Sequence, residues 1–121
     1  KVFGELFWRR YVHVRDAARA IQQVLGAPPE KVAGCVFNVG ATAQNYQKQQ
    51  LVELIRPYAP DAVVEFVHKT EDPRDYRVSF TRIETELGFR TTITVPDGVA
   101  EIVRLVQNRI IRNLEDPSLK N

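Results

Sequence analysis

The side chains best equipped for chemistry in this chain are cationic, and the chemistry they suit is holding phosphate. Arg9, Arg10 and Arg15 crowd one stretch, WRRYVHVRDAARAI at residues 8–21, and Lys69, Arg74 and Arg77 gather in a second. A guanidinium binds phosphate through two parallel hydrogen bonds and keeps its charge throughout the physiological range. The same residues on a solvated rim would do no chemistry, and residue type alone leaves both readings open. Other catalytic patterns are missing. His13 and His68 show neither HExxH nor HxH spacing, so no metal site is predicted. The glycines, at 4, 26, 34, 40, 88 and 98, never form GxGxxG, GxxGxxG or GxxxxGK, so no dinucleotide or P-loop cradle is predicted. Cys35, the single cysteine, opens an apolar run and reads as an inert core thiol. Asp16 reads as a first-turn carboxylate favoured by a helix dipole.

The elements that must carry these residues follow from periodicity. YVHV at 11–14 is β-branched and aromatic and reads as a short strand. It turns at once into a helix with Ala17, Ala18, Ile21, Val24 and Leu25 on one face, ended by Gly26 and the Pro28-Pro29 pair. CVFNVG at 35–40 reads as a strand covered on both faces. Asn45 is placed as the cap of the next helix, with Leu51, Leu54, Ile55 and Tyr58 facing inward. AVVEFVH at 62–68 is a strand, and residues 69–76 form a polar loop or edge. Ser79 caps a short helix with Phe80, Ile83 and Leu87 on one face and Gly88 at its stop. Thr94, Pro96 and Asp97 begin a last helix whose stripe is Val99, Ile102, Val103, Val106, Ile110 and Leu114. The tail DPSLKN reads as frayed. The order is strand, helix, strand, helix, strand, helix, helix: an α/β chain with too few strands for a complete doubly wound sheet.

Bulk properties narrow the partners. The chain has 121 residues, 44% of them hydrophobic and 26% charged, enough for a single domain over 1–121. A net charge of +2, with 15 acidic residues spread along the chain, argues against a nucleic-acid binder. One cysteine permits no internal disulfide, which favours a reducing, cytoplasmic setting. No apolar run approaches the ~18 residues of a membrane span. The chain starts Lys-Val-Phe and contains no methionine, so it is read as part of a longer protein.

Four segments, RRYVHVRDAARAI, VFNVG, NYQKQQLVELI and DPRDYRVSFTRIETELGF, resemble in their order and spacing the C-terminal, substrate-binding part of extended short-chain dehydrogenases/reductases. These are the NAD-dependent epimerase/dehydratase family, which acts on nucleotide-diphosphate sugars. The resemblance spans roughly residues 5–107. Its implied fold is a fragment of a doubly wound Rossmann-type sheet, the last helix and strand, plus a small α+β lobe. The family's GxxGxxG loop and YxxxK pair are absent: Tyr11, Tyr46, Tyr58 and Tyr76 are followed four places on by Arg15, Gln50, Ala62 and Phe80. The resemblance therefore implies no catalytic residue and no cofactor in this chain, which should bind neither NAD nor NADP alone. NAD and its Rossmann domain belong to the full-length protein. That protein would remove and return a hydride at the sugar, as an epimerase, a dehydratase or a reductase. By the same resemblance Arg9 contacts the diphosphate, and Arg10 takes a variable place. Arg74, or Lys69 without the guanidinium fork, supplies a second cation, and Tyr76 lies near the sugar or nucleotide. A non-enzymatic interaction module is the alternative. The apolar strand 35–40, deprived of neighbours, predicts self-association, with a homodimer as the simplest form.

Overall fold

The computed structural model describes residues 1–68, 77–110, 113, 116 and 117. In chain order the elements are β1 (Val2–Phe3), β2 (Trp8–Arg10), α1 (Val14–Gly26), α2 (Pro29–Val32), β3 (Asn45–Gln47), α3 (Lys48–Ile55), β4 (Phe66–Val67), α4 (Thr81–Leu87) and α5 (Val95–Gln107). Single 3-10 turns at Thr42–Gln44 and Arg56–Tyr58 flank β3 and α3. The α/β class stands. A small parallel pair joins β1 to β4, with Val2 opposite Phe66 and Phe3 opposite Val67. An antiparallel ribbon joins β2 to β3, with Trp8, Arg9 and Arg10 opposite Gln47, Tyr46 and Asn45.

The helices start where side chains satisfy the free N–H groups of a first turn. His13 Nδ1 accepts from Arg15 N at 3.2 Å and opens α1. Gln47 and Gln50 form a reciprocal capping box for α3, and Thr94 and Asp97 form one for α5. Helix α4 is the exception: its N-cap is Phe80, with no side-chain cap bond, and Ser79, expected as the cap, stands one residue earlier with Oγ accepting from Thr81 N at 3.4 Å; Gly88, at φ +66°, closes the helix in the left-handed conformation. The core is small. Ala20, Ile83 and Phe89 form its centre, with Phe37, Val39 and Leu87 packed against them; Phe7 and Phe80 are also buried, against Gly4 and Gly40. At Gly40 the Phe80 ring comes so close that a Cβ would stand 2.7 Å from it.

Several expectations need correction. The strand placed at 11–14 is Trp8–Arg10, because the ladder partner β3 reaches only that far; Tyr11 N makes the last bond, to Gln44 O at 3.3 Å. Residues 35–39 join no ladder among the described residues, and burial alternates along them. Phe37 and Val39 turn to the core and Val36 to solvent, since only one side has a layer against it. Of 62–68, only Phe66–Val67 pairs as strand, and Val63 is 96% exposed. Asn45 does not cap α3; Gln47 does. Ile55 and Tyr58 are exposed rather than inward. Helix α1 meets the core with Asp16 and Ala20; Gln23, like Ala17 and Val24 of the apolar stripe, is half-buried, and the rest of the stripe is exposed. Ile21 and Leu25 are 62% and 82% exposed. Helix α5 stops at Gln107, Ile102 and Ile110 are exposed, and Leu114 lies outside the described residues.

Candidate functional site

Of the residues named for phosphate recognition, the structure describes Arg9; Lys69, Arg74 and Tyr76 lie outside the described residues. Arg9 is the middle residue of β2, opposite Tyr46 and half-buried. Its guanidinium folds back on its own strand, with Nη1 donating to Trp8 O at 2.7 Å. Neighbouring strand residues face opposite sides, so Arg9 and Tyr46 share one face of the ribbon, and Trp8, Arg10, Asn45 and Gln47 share the other. Arg10 is exposed. Burial pushes the Tyr11 phenol up, and the Arg9 charge offsets part of that rise.

On the second face stands a contact that sequence reasoning did not place. The Arg77 guanidinium lies over the Trp8 ring, 3.9 Å from its centroid. Asn45 ties the segment that carries it: Nδ2 donates to Val78 O at 3.2 Å and to Thr42 O at 2.8 Å, and Oδ1 accepts from Val78 N at 3.4 Å. Thr42 Oγ1 accepts from Phe80 N at 3.4 Å. Arg77 was visible as one of the six cations named in the two basic stretches. Its pairing with Trp8 spans 69 positions and leaves no local signal.

Immediately after the arginine strand, Asp16 has no exposed surface. Its Oδ2 accepts from Thr92 N and Ile93 N, both at 2.9 Å. Its Oδ1 accepts from Thr92 Oγ1 at 2.9 Å and Arg19 Nη1 at 2.5 Å. Burial raises its pKa, but the two backbone N–H groups, the Thr92 hydroxyl and Arg19 outweigh burial and hold the carboxyl below its ordinary value. Asp16 is therefore an anchor between α1 and the lead-in to α5, which goes well beyond a dipole preference. His13 supports the same join: its Nε2 lies 3.2 Å from Glu101 Oε2 of α5, and Arg15 Nη2 lies 3.7 Å from Glu101 Oε1. Nδ1 accepts from Arg15 N, so the neutral ring carries its proton on Nε2, facing Glu101.

Elsewhere, His68 Nδ1 lies 3.0 Å from Glu5 Oε1, and that hydrogen bond, with a backbone one, holds the Glu5 carboxyl below its usual value. Cys35 is free and half-buried. No group of three or more His, Cys, Asp or Glu side chains is gathered for a metal among the described residues. No described helix is long and apolar enough to cross a membrane. An apolar groove of about 440 Å³ runs between α3, α5 and residues 11–14, lined by Val12, Leu51, Ile55, Ile93, Val99 and Ile102 among others.

No family model matches the chain. A dTDP-glucose 4,6-dehydratase from Streptomyces griseus is 34% identical over 97 residues, 78% of this chain and 29% of that protein. The chain thus spans less than a third of that curated relative. Among solved structures, RMD from Pseudomonas aeruginosa, complexed with NADPH, superposes with a TM-score of 0.72 at 24% identity, over 89% of this chain and 35% of that one. A short-chain dehydrogenase/reductase superfamily protein from Agrobacterium tumefaciens with bound NAD gives 0.72 at 22% identity, over 92% and 34%. The two structures share the fold.

Proposed function

Because this chain belongs to the extended short-chain dehydrogenase/reductase family, in its NAD-dependent epimerase/dehydratase branch, we propose that it supplies the nucleotide-sugar-binding part of such an enzyme and is inactive alone. The observation that carries this reading is Arg9, set in a paired strand that runs directly into a capped and anchored helix. A guanidinium held in place forms phosphate hydrogen bonds with less ordering cost than a free one. Arg9 is proposed as the diphosphate contact, with Arg74, or Lys69, as a second cation and Tyr76 near the sugar or nucleotide. The dTDP-glucose named for the S. griseus relative makes dTDP-sugars the first candidates.

The described residues do not fit a dinucleotide. None of the described positive-φ glycines, at 4, 34, 40 and 88, opens a long helix, and α1, α3 and α5 are capped by His13, Gln47 and Thr94. The pyrophosphate of NAD needs backbone N–H groups at a glycine-rich helix start, so no chemical step is assigned to this chain. NAD, hydride transfer, and the choice among epimerase, dehydratase and reductase are proposed for the full-length protein, in a cytoplasmic setting. A second reading, a non-enzymatic interaction module, draws on the exposed stripe Val14, Ile21 and Leu25 of α1.

The test is calorimetric titration of the 121-residue chain with dTDP-glucose. Arg9→Ala should weaken binding about tenfold or more, since a hydrogen bond to a charged group contributes about 1.5–3 kcal/mol. Arg10→Ala should cost less. A silent Arg9→Ala, or equal losses from the two, overturns the assignment.

A further inference from the structure

We infer that Asn45 is a positioning residue, which sets the Arg9 strand by holding Arg77 over the Trp8 ring. The inference rests on the reading of Arg9 as the anion contact. Strand β2 is three residues long, and β3 is its only ladder partner among the described residues. A two-stranded ribbon is marginal without further support. Asn45 stands opposite Arg10, so its side chain shares a face with Trp8. On that face its amide meets Val78 in both directions, donating to Val78 O at 3.2 Å and accepting from Val78 N at 3.4 Å. That exchange is what a hydrogen-bonded residue of a neighbouring strand would offer. A side chain thus takes the place of a third strand and seats residues 77–80 on the ribbon.

The consequence passes to Arg9 through one residue. Arg77, next to Val78, is delivered onto the Trp8 ring at 3.9 Å. The carbonyl of the same Trp8 receives the Arg9 guanidinium at 2.7 Å. Ring and carbonyl belong to the same residue, so the clasp on the ring bears on the strand that carries Arg9. Asn45 needs no contact with the ligand to act this way. A helix cap, the role its sequence position suggests, would make none of these bonds to Val78.

Trp8 is the chain's single tryptophan, so its emission reports the clasp directly. The experiment measures acrylamide quenching of Trp8 and the affinity for thymidine diphosphate in the 121-residue chain and its variants. Asn45→Ala and Arg77→Ala should each increase quenching and weaken thymidine diphosphate about fivefold, within the range for residues acting through contact. The double variant should be no worse than either single one, and both substitutions should be silent in an Arg9→Ala background. Unchanged quenching in a folded Asn45→Ala chain overturns the inference, and so does a full loss that persists without Arg9. If Asn45→Ala does not fold, Asn45→Asp decides: it keeps the acceptor for Val78 N and loses both donations. Intermediate quenching supports the clasp, and wild-type quenching overturns it. If the unaltered chain does not bind thymidine diphosphate, the reading of Arg9 fails, while the quenching comparison still decides the role of Asn45.

Discussion

Asp16→Asn removes one carboxylate oxygen from a site with no exposed surface. Four donors meet the two oxygens: Thr92 N and Ile93 N at Oδ2, and Thr92 Oγ1 and Arg19 Nη1 at Oδ1. An amide has one acceptor oxygen, so its NH2 must face one of these pairs. The cheaper orientation keeps the oxygen on the two backbone N–H groups, because the Thr92 hydroxyl can rotate and the half-exposed Arg19 can turn to water. Losing charge assistance and the Arg19 bond should then cost about 3 kcal/mol, at about 1.5–3 kcal/mol for each hydrogen bond to a charged group. Domains of this kind have about 5–15 kcal/mol in total. Urea unfolding followed by far-ultraviolet circular dichroism at pH 7 measures the difference. The pH dependence adds a sign. Burial raises the Asp16 pKa, but its hydrogen bonds lower it more, so the folded value lies below the unfolded one. Its contribution is complete above the unfolded value and is lost as pH falls through the folded value. The gap between the two proteins should therefore shrink on acidification. A gap under about 0.5 kcal/mol at pH 7, the scale of an ordinary surface substitution, would refute the reasoning, as would a gap that ignores pH.

Gly40→Ala should destabilise by about 1–3 kcal/mol, the usual range for overpacking, because the new Cβ would stand 2.7 Å from the Phe80 ring; a neutral result in thermal unfolding would mean that ring is free to move. Thr94→Ala removes the cap of α5 and should cost about 1 kcal/mol, read as a lower midpoint in the same melts. The exposed Val14, Ile21 and Leu25 of α1 should drive self-association, and light scattering at micromolar concentration should give at least twice the monomer mass. A monomer there would leave the apolar stripe without this role.

Legibility followed the range of the interactions. The start of α5 was readable because Thr94 and Asp97 act on N–H groups three residues away, whereas α4 begins one residue later than expected, with Phe80 and not Ser79 at its cap. Strands were readable only in part: Phe66–Val67 lies inside the strand expected at 62–68, while β1 and β3 exist only through partners at Phe66–Val67 and Trp8–Arg10. The apolar stripe of α1 was correctly seen as a stripe. The core face, however, is set by Asp16, Ala20 and Gln23, where Asp16 meets Thr92 and Gln23 Nε2 donates to Leu87 O. Amphipathicity reports two faces and does not say which one the rest of the chain covers. Asn45 illustrates the limit at the candidate site: asparagine before a helical pattern suggests a cap, while its partner Val78 lies 33 residues ahead. Arg9 was singled out from its motif, and the Trp8 carbonyl that accepts from its guanidinium left no signal in the sequence.

The first sixteen residues place one strand in each of two pairs and one carboxylate under the lead-in to α5. During synthesis this segment leaves the ribosome before any of its partners exists. Its partners then arrive in a fixed sequence: Asn45–Gln47 for β2, Phe66–Val67 for β1, and Thr92 and Ile93 for Asp16. Until the last of these has emerged, Asp16 is a charge that cannot enter the core without a large desolvation penalty. Helix α1 is thus barred from final docking while the chain is short. Docking of α1 therefore waits for Thr92 and Ile93, and the signal to close is the arrival of their two backbone N–H groups.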